Sequence, residues 1–175
     1  MKKKAILAVS FGTSYEDTRK KTIEAIEHTL EHHFPDHKMY RAWTSRMILE
    51  KIKIRDGIHI DSVPEAMAHM KADGITDVII QPTHVINGVE NDRMKTDALS
   101  FRDSFHSIVF GAPLLSSESD NEAVVNAVAS EFSWITDKDA LVLMGHGTTH
   151  YANTVYAALD YRFKDMGFKI SFWVQ

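Results

Sequence analysis

Apolar positions along the chain follow two rhythms. Short aliphatic and β-branched runs at Ala5–Ser10, Asp77–Gln81, Ile108–Phe110 and Ala140–Met144, with a looser alternation over His37–Trp43, read as strands. The runs ending at Ser10, Gln81 and Met144 are continuous enough for strands covered on both faces of a sheet. Between them apolar residues recur every three or four positions. Ile23, Ile26, Leu30 and Phe34 mark a helix that Ser14 is placed to cap, with Asp17 three residues on, and that Pro35 ends. Met47, Ile48 and Ile52 follow Ser45 and stop at Gly57. Ser62-Val-Pro-Glu65 is a capping box with Pro64 in the first turn, which predicts a helix to about Ala72 before Gly74. Met94, Ala98, Phe101 and Phe105 give a helix from Asn91, and Ser119-Asp-Asn-Glu122 is a second capping box ahead of Val124, Val125, Val128 and Phe132. A last helix opens at Asn153 or Thr154, runs through Val155, Ala158, Leu159 and Arg162, and stops at Gly167.

Strands alternating with helices over short connections predict an α/β fold, a doubly wound parallel sheet with flanking helices and right-handed crossovers. Phe168–Gln175 alternates apolar residues at Phe168, Ile170, Phe172 and Val174 and reads as the opening strand of something further. The expected division is a domain over residues 1–145, followed by a loop, helix and strand over 146–175.

Length and charge narrow the classes. At 175 residues the chain can bury a sizeable core. Its 20 Lys and Arg against 24 Asp and Glu point to neither a nucleic-acid nor an anionic-membrane partner. The start, Met1-Lys-Lys-Lys-Ala-Ile-Leu, resembles a signal peptide only superficially, because its apolar run is short and reads better as a first strand. Cysteine is absent, so any metal falls to histidine and carboxylate. A cytoplasmic location is expected.

Candidate chemistry gathers where two strands break into loops. Leu141–Met144 ends in Gly145-His146-Gly147, and Val78–Gln81 ends in Pro82, His84, Asn87, Gly88 and Glu90. Histidine nitrogen and carboxylate oxygen bind borderline divalent ions, and histidine accepts protons near neutral pH. Each residue also has a plainer reading: His146 as a loop histidine, Glu90 as a helix N-terminal acid before Asn91, His84 as a side chain packed under its loop. His28 and His32 have the spacing of a metal pair but lie among glutamates, as on a solvated face. His150, four residues after His146, could share a metal with it only in a helix, which Gly147 disfavours.

Taken in order, Val9-Ser-Phe-Gly-Thr-Ser-Tyr15, Arg41-Ala-Trp-Thr-Ser45, Arg55-Asp-Gly-Ile58, His84-Val-Ile-Asn-Gly88, Pro113-Leu-Leu-Ser-Ser117 and Met144-Gly-His-Gly147 resemble the sirohydrochlorin cobaltochelatases of anaerobic cobalamin biosynthesis, through about residue 165. The resemblance implies a class II chelatase that inserts a divalent metal into a tetrapyrrole without nucleotide hydrolysis, in a fold of two similar α/β halves around a cleft. It implies Co²⁺ as substrate metal, no nucleotide or organic cofactor, and sirohydrochlorin as partner. His146 would be metal ligand and proton acceptor, Glu90 an acidic group facing the site, and His84 a further candidate ligand. The substrate's carboxylates would meet hydrogen-bond donors and helix N-termini, for which Ser10, Thr13, Ser14, Ser116 and Ser117 are the candidates. Val89 stands where the family pattern has an acidic residue, and family members continue beyond residue 175 into a second half with another histidine and acid. The chain is therefore expected to represent one half, and a homo-oligomer is expected to supply a second wall. The alternatives are a non-catalytic tetrapyrrole-binding half-protein and a flavodoxin-like FMN-binding module, whose phosphate would sit on the hydroxyl-rich loop after the first strand.

Overall fold

A computed structural model describes residues 3–136 and 138–174, residues 170–174 through their backbone alone. Residues 3–84 and 90–113 pack as one unit, and residues 85–89 and 114–174 as another.

The first unit is built on four parallel strands, β1 (Lys4–Ser10), β2 (Lys38–Trp43), β3 (Asp77–Pro82) and β4 (Ser107–Phe110), in the order β2-β1-β3-β4. β1 is central, and its residues from Ala5 to Ser10 are buried. Successive strand side chains point to opposite faces, so burial of the whole run means that both faces are covered. Ala5, Leu7 and Val9 pack in one cluster with Val63, Met67 and Met70 of α4 (Val63–Ala72) and Met94 of α5 (Val89–Leu99). A second cluster joins Trp43 to Ile23 of α2 (Ile23–His33), Ile52 of α3 (Arg46–Asp56), and Ile58 and Ile60 beyond it. Fully burying a side chain of the size of Leu7 contributes about 1.5–3 kcal/mol.

The second unit has its own small core. β5 (Leu141–Gly145) and β6 (Ile170–Val174) form a separate two-stranded parallel sheet. Leu141 and Leu143 pack against Val125 and Val128 of α6 (Glu118–Glu131) and Leu159 and Phe163 of α7 (Thr154–Asp165).

Several expectations need correction. β5, expected to be covered on both faces of the parallel sheet, pairs with β6 instead and leaves Val142 and Met144 exposed. An apolar run records that a strand is half-buried or more; it carries no record of its neighbour. The helix expected behind Ser14 begins after Tyr15, because the Thr13 hydroxyl accepts from Tyr15 N–H and holds the loop one residue longer. It breaks at Thr22, whose hydroxyl donates to the Thr18 carbonyl at 2.7 Å, giving α1 (Glu16–Lys21) and α2. Ile26 and Phe34 of the expected apolar face are exposed. α6 is capped by Ser117, which accepts from Asp120 N–H at 3.1 Å, two residues before the expected Ser119. The box at Ser62 stands as expected: the Glu65 carboxylate accepts from Ser62 N–H at 2.8 Å and Ser62 O–H at 2.6 Å. The strand expected at Phe168–Gln175 forms over Ile170–Val174, while its side-chain alternation lies outside the described residues. Among the described residues no helix is long and apolar enough to cross a membrane.

Candidate functional site

The order β2-β1-β3-β4 places a topological switch at β1, since the chain leaves it first to one side and then to the other. At such a point the loops beyond the strands' carboxyl ends diverge and leave a crevice. Here those loops are cross-braced. Thr83 N–H donates to the Val9 carbonyl at 2.8 Å, Thr44 N–H to the Ser10 carbonyl at 3.0 Å and Ser45 N–H to the Phe11 carbonyl at 3.1 Å. The Thr83 hydroxyl donates to Ser10 Oγ at 2.8 Å, and the Ser10 side chain is buried.

This brace carries His84. Its Nε2 lies 3.3 Å from the Thr44 hydroxyl, and its Nδ1 is buried with no hydrogen-bond partner among the described residues. Burial pulls the His84 pKa below the usual histidine range, and the negative charge of Glu90 opposes the shift without cancelling it. The ring is therefore neutral at neutral pH, with one nitrogen tied and one untied.

Glu90 lies in the first turn of α5, where the helix dipole favours a carboxylate. Its Oε1 is 3.5 Å from Arg93 Nη1, and its Oε2 is buried with no hydrogen-bond partner among the described residues. The helix-end reading of Glu90 is met by its place in the first turn of α5, and one of its oxygens stays uncommitted. Each such buried polar atom left without a partner forgoes about 1–3 kcal/mol of hydrogen bonding.

His146 follows β5 in the second unit, exposed, with Nδ1 3.2 Å from the Gly147 carbonyl. Gly147 has φ of 73°, a left-handed conformation that favours glycine. Gly145 is required for packing, since a Cβ there would stand 2.7 Å from the Tyr156 ring. The His150 ring accepts from Ala152 N–H at 3.2 Å and caps the short 3₁₀ turn Tyr151–Asn153, as a capping group does and a metal partner of His146 does not. His28 and His32 are exposed on α2, as expected of a solvated face.

The hydroxyl candidates separate by role. Ser10 is part of the buried brace, Thr13 shapes the loop after β1, and the Ser14 carbonyl accepts from Arg55 at 2.6 Å. In the second unit Ser116 is exposed and Ser117 is the cap of α6. Ser10, Thr83, His84 and Thr44 come together, with Glu90 acting on His84. Thr44 and Thr83 were not expected. Their signal is positional: each is the first residue after a strand that flanks β1, and each donates its N–H to a carbonyl at the end of β1, Thr44 to Ser10 and Thr83 to Val9.

The family model described as Cobalt chelatase (CbiK) matches residues 4–174, beyond the limit near 165 suggested by the motifs. The sirohydrochlorin cobaltochelatase of Salmonella typhimurium is 42% identical over 159 residues, covering 91% of this chain and 60% of that protein. The sirohydrochlorin cobaltochelatase CbiKC of Nitratidesulfovibrio vulgaris is 32% identical over 162 residues, covering 91% of this chain and 57% of that protein. The chain thus spans somewhat more than half the length of the curated relatives it matches.

Proposed function

The chain belongs to the cobalt chelatase (CbiK) family, and on that premise we propose that it acts in the insertion of cobalt(II) into sirohydrochlorin, in the cytoplasm and without nucleotide hydrolysis. The observation that carries the reading is the pair of uncommitted buried atoms, His84 Nδ1 and Glu90 Oε2, at the switch of the parallel sheet.

Insertion exchanges one divalent ion for two pyrrole N–H protons, so the site must shed the ion's waters, hold the ion and accept protons. An exposed imidazole can hold the ion and accept protons in turn. We assign His146 as metal ligand and proton acceptor, the proton passing from its ring to water. Glu90, a carboxylate beside a neutral ring, offsets the ion's charge and leads protons away. His84 offers Nδ1 as a further ligand while Thr44 fixes its ring. As donors to the substrate's carboxylates we assign Thr13 and Ser14 of the first unit and Ser116 and Ser117 of the second, and Ser10 acts through its hydrogen bond with Thr83.

The test is metallation of sirohydrochlorin followed by absorbance, with cobalt(II), nickel(II) and iron(II) in parallel. His146→Ala is expected to abolish insertion and leave folding intact. Glu90→Gln keeps the shape but removes charge and proton affinity, so it is expected to slow insertion more than it weakens tetrapyrrole binding. Insertion by His146→Ala at the unsubstituted rate would overturn the assignment. Macrocycle binding without acceleration would instead assign a tetrapyrrole-binding role. The flavodoxin-like alternative shares the strand order but is set aside by the family.

A further inference from the structure

A second group of metal-ligating side chains stands apart from the residues assigned above. α3 ends at Gly57 in the left-handed conformation. Ile58 and Ile60 pack into the cluster around Trp43, while the His59 side chain between them is exposed and Asp61 is half-buried. The Asp61 carbonyl accepts from Trp43 N–H at 2.9 Å, which fixes this segment to the end of β2. Glu65 and His69 then follow at i, i+4 on α4, opposite the buried Ala66, Met67 and Met70. Four potential ligands thus come from one stretch.

Their atoms are arranged in two layers. His59 Nε2 is 3.3 Å from Asp61 Oδ1 and 3.8 Å from Glu65 Oε1, and the three ligand atoms lie within 4.8 Å of one another. The other oxygen of each carboxylate is held from behind. Asp61 Oδ2 is 2.6 Å from His69 Nδ1, and Glu65 Oε2 accepts from Ser62 N–H and O–H. One oxygen of each acid is fixed by a donor, and the other faces the same imidazole nitrogen.

A direct histidine–aspartate contact explains the 3.3 Å separation but not the approach of Glu65, which at 3.8 Å is beyond hydrogen-bond range. Neither carboxylate pairs with a lysine or arginine among the described residues. Two anions converging on one ring therefore lack a permanent cation. Ligands at about 2.0–2.2 Å from a divalent ion stand about 3–3.5 Å apart; His59 and Asp61 are already at 3.3 Å, and Glu65, at 3.8 Å from His59, needs only a small side-chain adjustment to join them.

We propose that His59, Asp61 and Glu65 form a surface site for a divalent first-row transition ion, with His69 and Ser62 as the groups that orient its carboxylates. One imidazole and two carboxylates suit cobalt(II), nickel(II) or zinc(II), and the exposed side leaves positions for water. The site is independent of the insertion reading, since it uses none of the residues assigned to that reaction.

Zinc(II) titration of the full chain by calorimetry tests the site, together with histidine ring NMR during cobalt(II) addition. Beside any ion held at His146, one further equivalent is expected that disappears in His59→Ala and in Glu65→Gln and persists in His146→Ala. His69→Gln is expected to weaken it about 10–100-fold, the usual effect of removing a group that orients a ligand. Cobalt(II) should broaden the His59 ring signals of the unsubstituted chain, a readout that needs no variant to fold. Unchanged binding in His59→Ala, or sharp His59 signals at millimolar cobalt(II), would sink the proposal.

Discussion

Gly12 shows how much a single residue decides in the loop after β1. Its φ is 99°, and a Cβ there would stand 2.7 Å from the buried Trp43 ring. Trp43 is locked between α2 and α3, so neither partner can yield easily. Gly12→Ala should therefore destabilise the protein by about 1–3 kcal/mol, checked by urea unfolding; an unchanged midpoint would show that the loop relaxes freely. At this scale the sequence was readable wherever chemistry and position coincided. His84 and Glu90 stand out because histidine and carboxylate follow directly on an apolar run. Thr44 and Thr83 do not, since a threonine after a strand looks like any other until its partner across the sheet is known. His59 and Asp61 escaped for a related reason, as their alternation depends on Ile58 and Ile60 finding a core.

Among the elements, strands and helices were legible and their joints were less so. β1 appeared where its apolar run is, because burial on both faces leaves no polar position in its middle, and β3 did so although only alternate residues, Val78 and Ile80 among them, are fully buried. Helix starts were displaced by one or two residues at Ser14 and Ser119, since several neighbouring hydroxyls can cap and backbone geometry selects among them. One joint ties β2 to the end of α4: the Asp73 carboxylate accepts from Lys38 Nζ at 2.6 Å and from the Tyr40 hydroxyl. Lys38 first, then Tyr40, holds the Asp73 pKa below the usual aspartate value. A folded pKa below the unfolded one gives stability that is present above the unfolded value, about 3.9, and is lost as pH falls from there through the folded value. Asp73→Asn should accordingly melt below the unsubstituted protein at pH 6, by a small margin because the pair is exposed. That gap should narrow as pH falls below about 4, where the unfolded carboxylate begins to take up its proton. A gap independent of pH would assign the effect to packing alone.

For the whole molecule, the pattern revealed the α/β class but not that β5 would leave the main sheet, because pairing partners are set by tertiary packing. The consequence is an open surface. Among the described residues β5 and β6 make a sheet of two strands, and Val142, Met144, Trp134 and Tyr161 in the same unit are exposed. Sheets this narrow are marginal alone, and open edges invite further pairing. Self-association is expected, seen as a sedimentation coefficient that rises over the micromolar range; a constant monomer value would count against it.

The central place of β1 also has a consequence in time. It precedes both neighbours in the chain, and Thr83, which locks onto Ser10, lies 73 residues downstream. At about 5–20 residues per second a ribosome needs roughly 4–15 s to make that interval. Throughout it, the run from Ala5 to Val9 is without one of its two partners, an apolar segment of the kind that seeds aggregation. Lys3 and Lys4, immediately before it and exposed in the finished fold, place charge beside that segment as gatekeepers while the nascent chain waits for β3.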